Sequence, residues 1–152
     1  MEILEELFQY YNWANDILLM TLEKYGPQVP PASMRLMSHI VNVQVLWLSR
    51  IKGETPAVGV WEEHDLATCK QLNKESLQRL RSLIDQRTDN FATIVAYKNS
   101  SGIPYETAVL DILLQTLNHG TYHRGQIAMD LRQAGLEPVN TDYISWVRAT
   151  RR

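Results

Sequence analysis

Two histidines four residues apart are the feature of this sequence that most directly suggests chemistry. His119 and His123 lie within residues 118–126, and in an α-helix this spacing places both imidazoles on one face, one turn apart. Ring nitrogens placed in this way can reach one divalent cation. A third ligand must come from elsewhere in the chain, and His39 is the obvious candidate. The spacing therefore predicts a three-histidine metal site built by two helices.

Neutral imidazole suits borderline divalent metals, of which we expect zinc or nickel. Three protein ligands leave a coordination position open, as in catalytic rather than structural zinc sites. The cation would lower the pKa of a water or substrate heteroatom bound there. The alternative is that each histidine is a hydrogen-bonded core residue, since this pair lacks the adjacent glutamate that marks zinc proteases. We favour the metal because unpaired buried imidazoles are costly and three of the four histidines border predicted core faces.

Other polar residues near these histidines have ordinary structural explanations. His64 lies in a polar loop, where we expect it to be solvated rather than to cover the metal. Cys69 has no evident activating partner and is expected to be inert. Gln126 and Asp130 fall on the histidine side of the same helix and can orient an imidazole. Arg124 is expected to pair with a carboxylate, with an anionic ligand as the alternative, and no residue is assigned as acid, base or nucleophile.

Helices are predicted to position these side chains. Apolar residues recur at helical spacing in four long segments, and a fifth, short segment closes the chain. Ser33 is expected to cap the second helix and Thr141 or Asp142 the last. Gly120 and Gly125 each cost the fourth helix about 1 kcal/mol relative to alanine, which close packing near the site would explain. The predicted helices span residues 2–24, 33–52, 66–87 and 109–134, with the short one from about residue 143.

Between the third and fourth helices the sequence changes character. β-Branched residues at 93–95, a turn signal at 99–102 and a possible return strand at 103–107 predict a short β-hairpin. The predicted fold is all-α: an up-down four-helix bundle with a β-hairpin insertion before the last long helix and a short C-terminal helix. We find no linker or repeat, so we expect a single domain over residues 1–152.

Composition limits the classes of function. The chain has 152 residues, 45% of them hydrophobic, and a net charge of −2, which gives no reason to expect a nucleic-acid partner. The single cysteine, Cys69, excludes an internal disulfide and fits a reducing compartment. The N-terminus lacks the basic segment of a signal peptide, and no apolar run is long enough to span a bilayer. We therefore expect a cytoplasmic protein that does not act at a membrane.

The first helix is apolar on two sides, which predicts a partner for its second face. One stripe contains Leu4, Leu7, Phe8, Tyr11, Leu18 and Leu22, and the other contains Ile3, Tyr10, Trp13, Ile17 and Met20. A helix of this kind buries more than one face. In so small a protein the second stripe is expected to meet another subunit, giving a homodimer.

The sequence around these histidines closely resembles the DinB-like (YfiT-like) family, which is grouped with the metalloenzymes and is unrelated to the DNA polymerase of that name. The resemblance covers nearly the whole chain and is most specific in the fourth helix. It is carried by LNHGTYHRGQI at 117–127, the LRQAG and TDY segments that follow, YNWAN at 11–15, and Ser38-His39-Ile40 followed by Trp47 and Arg50.

The resemblance implies a four-helix bundle, usually dimeric, in which His39, His119 and His123 hold zinc, nickel or another divalent ion. Related members are S-transferases that use low-molecular-weight thiols such as bacillithiol, and a mycothiol-dependent isomerase. It favours a metal-dependent enzyme that activates a low-molecular-weight thiol toward a small-molecule substrate. A metal-dependent hydrolase, with His64 or Glu63 as a base, and a non-catalytic metal- or ligand-binding module are the alternatives.

Overall fold

The computed structural model describes residues 2–86 and 89–151, and most of this part of the chain is helical. Helices α1 and α2 each pack against both α3 and α4, and α5 packs against α1. This arrangement confirms the predicted helical bundle with a hairpin before the last long helix. The elements are α1 Glu2–Tyr25, α2 Pro31–Lys52, α3 Leu66–Asp85, β1 Ile94–Lys98, β2 Pro104–Ala108, α4 Val109–Gln133 and α5 Tyr143–Thr150, with 3-10 turns at Gly26–Gln28 and Asp89–Ala92.

The start of α2 differs from the prediction. Pro30 occupies the cap position and Pro31 the first helical turn, where a missing N–H costs nothing. Ser33 lies within the first turn of α2 and is buried, and its hydroxyl lies 3.5 Å from a carboxylate oxygen of Asp130. The expectation that Ser33 caps α2 was therefore wrong, because the proline pair already sets the helix start.

The other helix ends are close to the predicted positions. Asp65 caps α3 by accepting a 2.8 Å hydrogen bond from the Thr68 backbone N–H. Helix α3 ends at Asp85, and its predicted end at residue 87 lies outside the described residues. Asp142 occupies the cap position of α5, although its side chain makes no capping hydrogen bond.

The hairpin packs against α2 and confirms the strand prediction. Its strands are antiparallel, from Ile94 opposite Ala108 to Lys98 opposite Pro104. The rings of Trp47 and Tyr97 meet edge to face, and the Arg50 guanidinium lies 4.4 Å from the centroid of each ring and donates to the Lys98 carbonyl at 3.2 Å. These contacts fix the hairpin to the helix that carries His39.

Two large apolar clusters form most of the core of the bundle. Full burial of each aliphatic side chain contributes about 1.5–3 kcal/mol. One cluster centres on Leu4, Phe8, Tyr11, Leu48, Leu77, Leu80 and Leu113. The other centres on Leu18, Leu22, Met37, Ile40, Cys69, Ile127 and Leu131 and includes the residue after His39 and a residue one turn after His123.

The second apolar stripe of α1 is covered only in part by its own chain. Tyr10 is buried against Trp146 of α5, and Trp13 packs beside them. Ile3 and Met20, at opposite ends of the stripe, remain 72% and 65% exposed. Among the described helices, none has both the length and the hydropathy needed to cross a bilayer.

Candidate metal centre

The packing of α2 against α4 brings the three predicted histidines together. His39 projects from the middle of α2, and His119 and His123 project from adjacent turns of α4. Nε2 of His119 lies 3.3 Å from Nε2 of His39 and 3.0 Å from Nε2 of His123. Potential ligand atoms of all three lie within 4.8 Å of one another. The i, i+4 spacing and the candidate third ligand therefore converge on a single point.

Hydrogen bonds at the far side of two rings set which nitrogen faces that point. Nδ1 of His39 lies 3.0 Å from the Val60 carbonyl oxygen, and Nδ1 of His123 lies 2.7 Å from Oε1 of Gln126. Both oxygens can only accept, so each Nδ1 carries the proton and each Nε2 presents a lone pair to the cluster. Gln126 thus orients an imidazole as expected, whereas the Asp130 carboxylate lies near Ser33 instead.

The three nitrogens fit a divalent cation better than they fit one another. Since the protons of His39 and His123 lie on Nδ1, their Nε2 atoms carry no hydrogen. At most one hydrogen, on Nε2 of His119, can therefore form a hydrogen bond among the three Nε2 atoms. Lone pairs left facing each other in a buried site are unfavourable. Nitrogens bound tetrahedrally at the usual zinc distance lie about 3.3 Å apart, close to the separations observed. The donor set is therefore suited to zinc-like metals.

Burial favours the neutral form, which metal binding requires, at His39 and His119. His39 and His123 are only 5% and 7% exposed, and His119 is half-buried. Desolvation, with smaller effects from the neighbouring histidines, lowers the pKa of His119 to about 4. Desolvation also lowers the pKa of His39, although its hydrogen bond to Val60 opposes this. Protons therefore compete weakly for His39 and His119 near neutral pH.

An aromatic ring from the loop before α3 packs against His39, a contact that the sequence did not predict. The Trp61 indole stacks on His39 with 3.7 Å between ring centroids and 6° between planes. The Arg35 guanidinium lies 5.2 Å from the Trp61 ring and 4.0 Å from the Glu63 carboxylate. A tryptophan within an otherwise polar loop was the available signal, but the sequence does not show which ring it meets.

His64 and Cys69 lie outside the histidine cluster. His64 was expected to be solvated, but it is half-buried and its Nε2 lies 2.7 Å from Oδ1 of Asn42. Cys69 is fully buried, 3.6 Å from the Ser38 hydroxyl, and burial raises the pKa of its thiol. A buried thiol with a raised pKa is the environment expected of an unreactive cysteine.

Arg124 contradicts the expected carboxylate pairing. The side chain is buried and donates to Oδ1 of Asn15 at 2.9 Å and to the Thr121 hydroxyl at 2.8 Å. Its guanidinium also lies over the rings of Tyr10 and Tyr11, at 5.6 and 5.3 Å. The neighbouring side chains of α1 are amide and aromatic, so neutral dipoles and ring faces stabilise the charge.

The two glycines of α4 have different environments. A Cβ at Gly120 would overlap Cε2 of Tyr11 and lie 2.9 Å from Nη1 of Arg124. Close packing therefore explains Gly120, as predicted. A Cβ at Gly125 would meet nothing within 4 Å, so packing within the described chain does not explain that glycine.

Comparison with known proteins identifies relatives along the whole chain. A sequence model of the DinB family matches residues 1–152. Protein DinB of Bacillus subtilis (strain 168) is 26% identical over 161 residues, covering 91% of this chain and 90% of that protein. The uncharacterized protein YizA of the same organism is 26% identical over 145 residues, covering 90% and 86%.

The fold also matches a solved structure. The crystal structure of a DinB-like protein from Bacillus cereus ATCC 10987 superposes with a TM-score of 0.69 and 19% identity, covering 92% of this chain and 96% of that one. At this identity the match supports the fold alone, whereas the family assignment follows from the full-length sequence match. The chain therefore belongs to the DinB family.

Proposed function

We propose that His39, His119 and His123 bind one divalent metal, zinc or nickel, through their Nε2 atoms. The observation that carries the proposal is the convergence of three ring nitrogens, with Nδ1 of His39 and of His123 held by acceptors. Such second hydrogen bonds are typical of metal-binding histidines because they fix the tautomer and the ring orientation. Among the described residues, the cluster of potential ligands contains these three side chains only, which leaves room for an exogenous ligand.

We further propose that the site activates a low-molecular-weight thiol for transfer to a small electrophile. A divalent cation held by the three imidazoles would supply positive charge that favours the thiolate over the thiol. The chain keeps His39 and His119 neutral, and Trp61 and the Val60 carbonyl hold the His39 ring. The sulfur electron pair would form a new C–S bond while the leaving group departs with its bonding pair. The thiol proton would pass to solvent.

A hydrolase is less favoured by the contacts around the site. Of the two groups considered as a base, His64 is bonded to Asn42, and Glu63 is an exposed carboxylate 4.0 Å from the Arg35 guanidinium. A hydrolase would cleave an ester or amide without added thiol. A non-catalytic metal-binding module would hold the metal and turn over neither class of substrate.

We also propose a cytoplasmic homodimer. Support comes from the exposed apolar ends of the second α1 stripe, Ile3 and Met20, and from the fully reduced state that a single buried cysteine implies.

Metal analysis of the purified protein and a thiol-transfer assay test the proposal together. We expect stoichiometric metal in the wild type, its loss in His119→Ala, and its retention in Asn118→Ala, which alters the exposed neighbouring residue. Metal-loaded protein is then mixed with an electrophile and each common low-molecular-weight thiol. We expect a rate above that of metal-free protein with at least one thiol. Metal equally retained by His119→Ala would contradict the site, and equal rates with and without metal would contradict the transferase.

A further inference from the structure

A buried amide on α2 makes several hydrogen bonds to the loop that covers His39. We call residues 59–65 the covering loop. The Asn42 side-chain N–H groups donate to the backbone carbonyl of Glu62 at 2.7 Å and to that of Val60 at 3.4 Å. Its Oδ1 accepts from Nε2 of His64 at 2.7 Å. Asn42 is completely buried, and a single side chain thus contacts three residues of the loop.

These contacts place the carbonyl and the aromatic ring that His39 contacts in the covering loop. The Val60 carbonyl that Asn42 approaches is the same oxygen that accepts from Nδ1 of His39. The next residue, Trp61, stacks on the His39 ring. Residues 59–64 form neither helix nor strand, so side-chain contacts must hold this backbone in place. A second anchor is the His64 backbone N–H, which donates to the Ser38 hydroxyl at 3.0 Å.

The chemistry of the position requires an amide. Asn42 donates twice to backbone carbonyls and accepts once from an imidazole N–H, which a carboxylate, an alcohol or an apolar group cannot reproduce. Asn42 also lies three residues after His39 on the same helix, so the two side chains share a face. The ligand and the residue that holds its hydrogen-bond acceptor are therefore fixed on one rigid element.

We propose that Asn42 is a positioning residue for the metal ligand His39. It holds the covering loop so that the Val60 carbonyl fixes the His39 tautomer and Trp61 fixes the plane of the ring. This inference rests on the proposed metal site. Outer hydrogen-bonding partners of metal-binding histidines typically change metal affinity by about 10–100-fold when they are removed, because the freed ring must be reordered on binding.

Zinc affinity, measured by competition with a chromophoric chelator, tests this role. The variants are Asn42→Ala and Asn42→Leu, the second keeping the branching and the number of side-chain heavy atoms in case the first fails to fold. Asn73→Ala is the matched control, since Asn73 is a buried asparagine on α3 that accepts hydrogen bonds from Asn15 and Gln44. Hydrogen exchange of backbone amides in residues 60–65, measured on metal-free protein, reports on the loop itself.

The expected result is a roughly 10–100-fold loss of zinc affinity in both Asn42 variants. Exchange in the covering loop should be faster in the same variants, while Asn73→Ala matches the wild type in both measurements. If the wild type binds zinc and the Asn42 variants bind it as tightly as Asn73→Ala does, the positioning role is wrong and the metal site stands. Unchanged loop exchange in both Asn42 variants would also overturn it. A wild type that binds no zinc overturns the site and this inference together.

Discussion

Alanine at the two glycines of α4 should change stability in opposite directions. Both positions are helical, so either substitution removes the conformational cost of glycine, worth about 1 kcal/mol. At Gly125 the new methyl group meets nothing within 4 Å. At Gly120 it would overlap the ring of Tyr11 and crowd the guanidinium of Arg124. Tyr11 cannot readily move away, because its ring is buried and its hydroxyl accepts a 2.8 Å hydrogen bond from Nε2 of Gln44.

The size of the difference follows from these contacts. Overpacking of a buried site typically costs about 1–3 kcal/mol, and weakening the Tyr11–Gln44 hydrogen bond costs about 1 kcal/mol more. After the helical gain of about 1 kcal/mol is subtracted, Gly120→Ala should lower the free energy of unfolding by roughly 1–3 kcal/mol. Gly125→Ala should raise it by about 0.5–1 kcal/mol. In a chain of this length, each 1 kcal/mol shifts Tm by about 2–4 °C.

Urea unfolding followed by circular dichroism, with a chelator present, measures both variants without a contribution from metal. The double variant Gly120→Ala/Tyr11→Leu tests whether the Tyr11 ring is the cause. In the Tyr11→Leu background, Gly120→Ala should lower the free energy of unfolding by less than it does in the wild type. The packing argument fails if Gly120→Ala is as stable as Gly125→Ala, or if removal of the Tyr11 ring recovers nothing.

Three further predictions address the thiol, the imidazoles and the assembly. Burial excludes reagent from Cys69 and raises the pKa of its thiol, so alkylation by iodoacetamide should be far slower in native protein than in urea. Equal rates would contradict the burial of this thiol. The pKa of His119 is lowered to about 4, so between pH 6.5 and 4 the unfolded chain binds more protons than the metal-free folded chain. The free energy of unfolding should therefore fall as the pH falls through this range. A flat pH profile in chemical denaturation would contradict this prediction. Light scattering at micromolar concentration should give a dimeric mass that Met20→Glu, on the exposed second stripe of α1, converts to a monomer, and a wild-type monomer would refute the dimer.

Periodicity predicted the bundle because the helices are long and amphipathic, and it placed the histidines because two of them share a helix. The fixed rise of an α-helix makes His119 and His123 neighbours whatever the tertiary structure. His39 required an assumption about helix packing, which the contact of α2 with α4 supports. The β-hairpin was visible because β-branched residues flank a strong turn signal, and the Asn99 side chain indeed accepts from the backbone N–H groups of Ser101 and Ile103.

The predictions that were wrong have two kinds of cause, one local and one tertiary. Ser33 is a good capping residue in isolation, but the preceding prolines start the helix first. Arg124 was expected to find a carboxylate, and instead α1 presents Asn15 and two tyrosine rings. Trp61 received no role because a loop has no periodicity from which the direction of a side chain can be read. For Arg124 and Trp61, the tertiary contact that decides the outcome has no signature within a short segment, whereas the prolines before Ser33 are visible in the sequence.

The two halves of the site differ in what holds them. His119 and His123 are kept in register by the backbone hydrogen bonds of α4, so their nitrogens stay close as long as that helix is intact. The orientation of His39 depends in addition on the covering loop, whose backbone contacts α2 mainly through Asn42 and Ser38. Local opening of a loop costs less than unfolding of a long helix. A metal joining both halves would connect α2 to α4. Loss of the loop contacts should leave the bundle folded but free the His39 ring, which must then be reordered when metal binds. Metal affinity is therefore expected to be more sensitive to the covering loop than the stability of the bundle is.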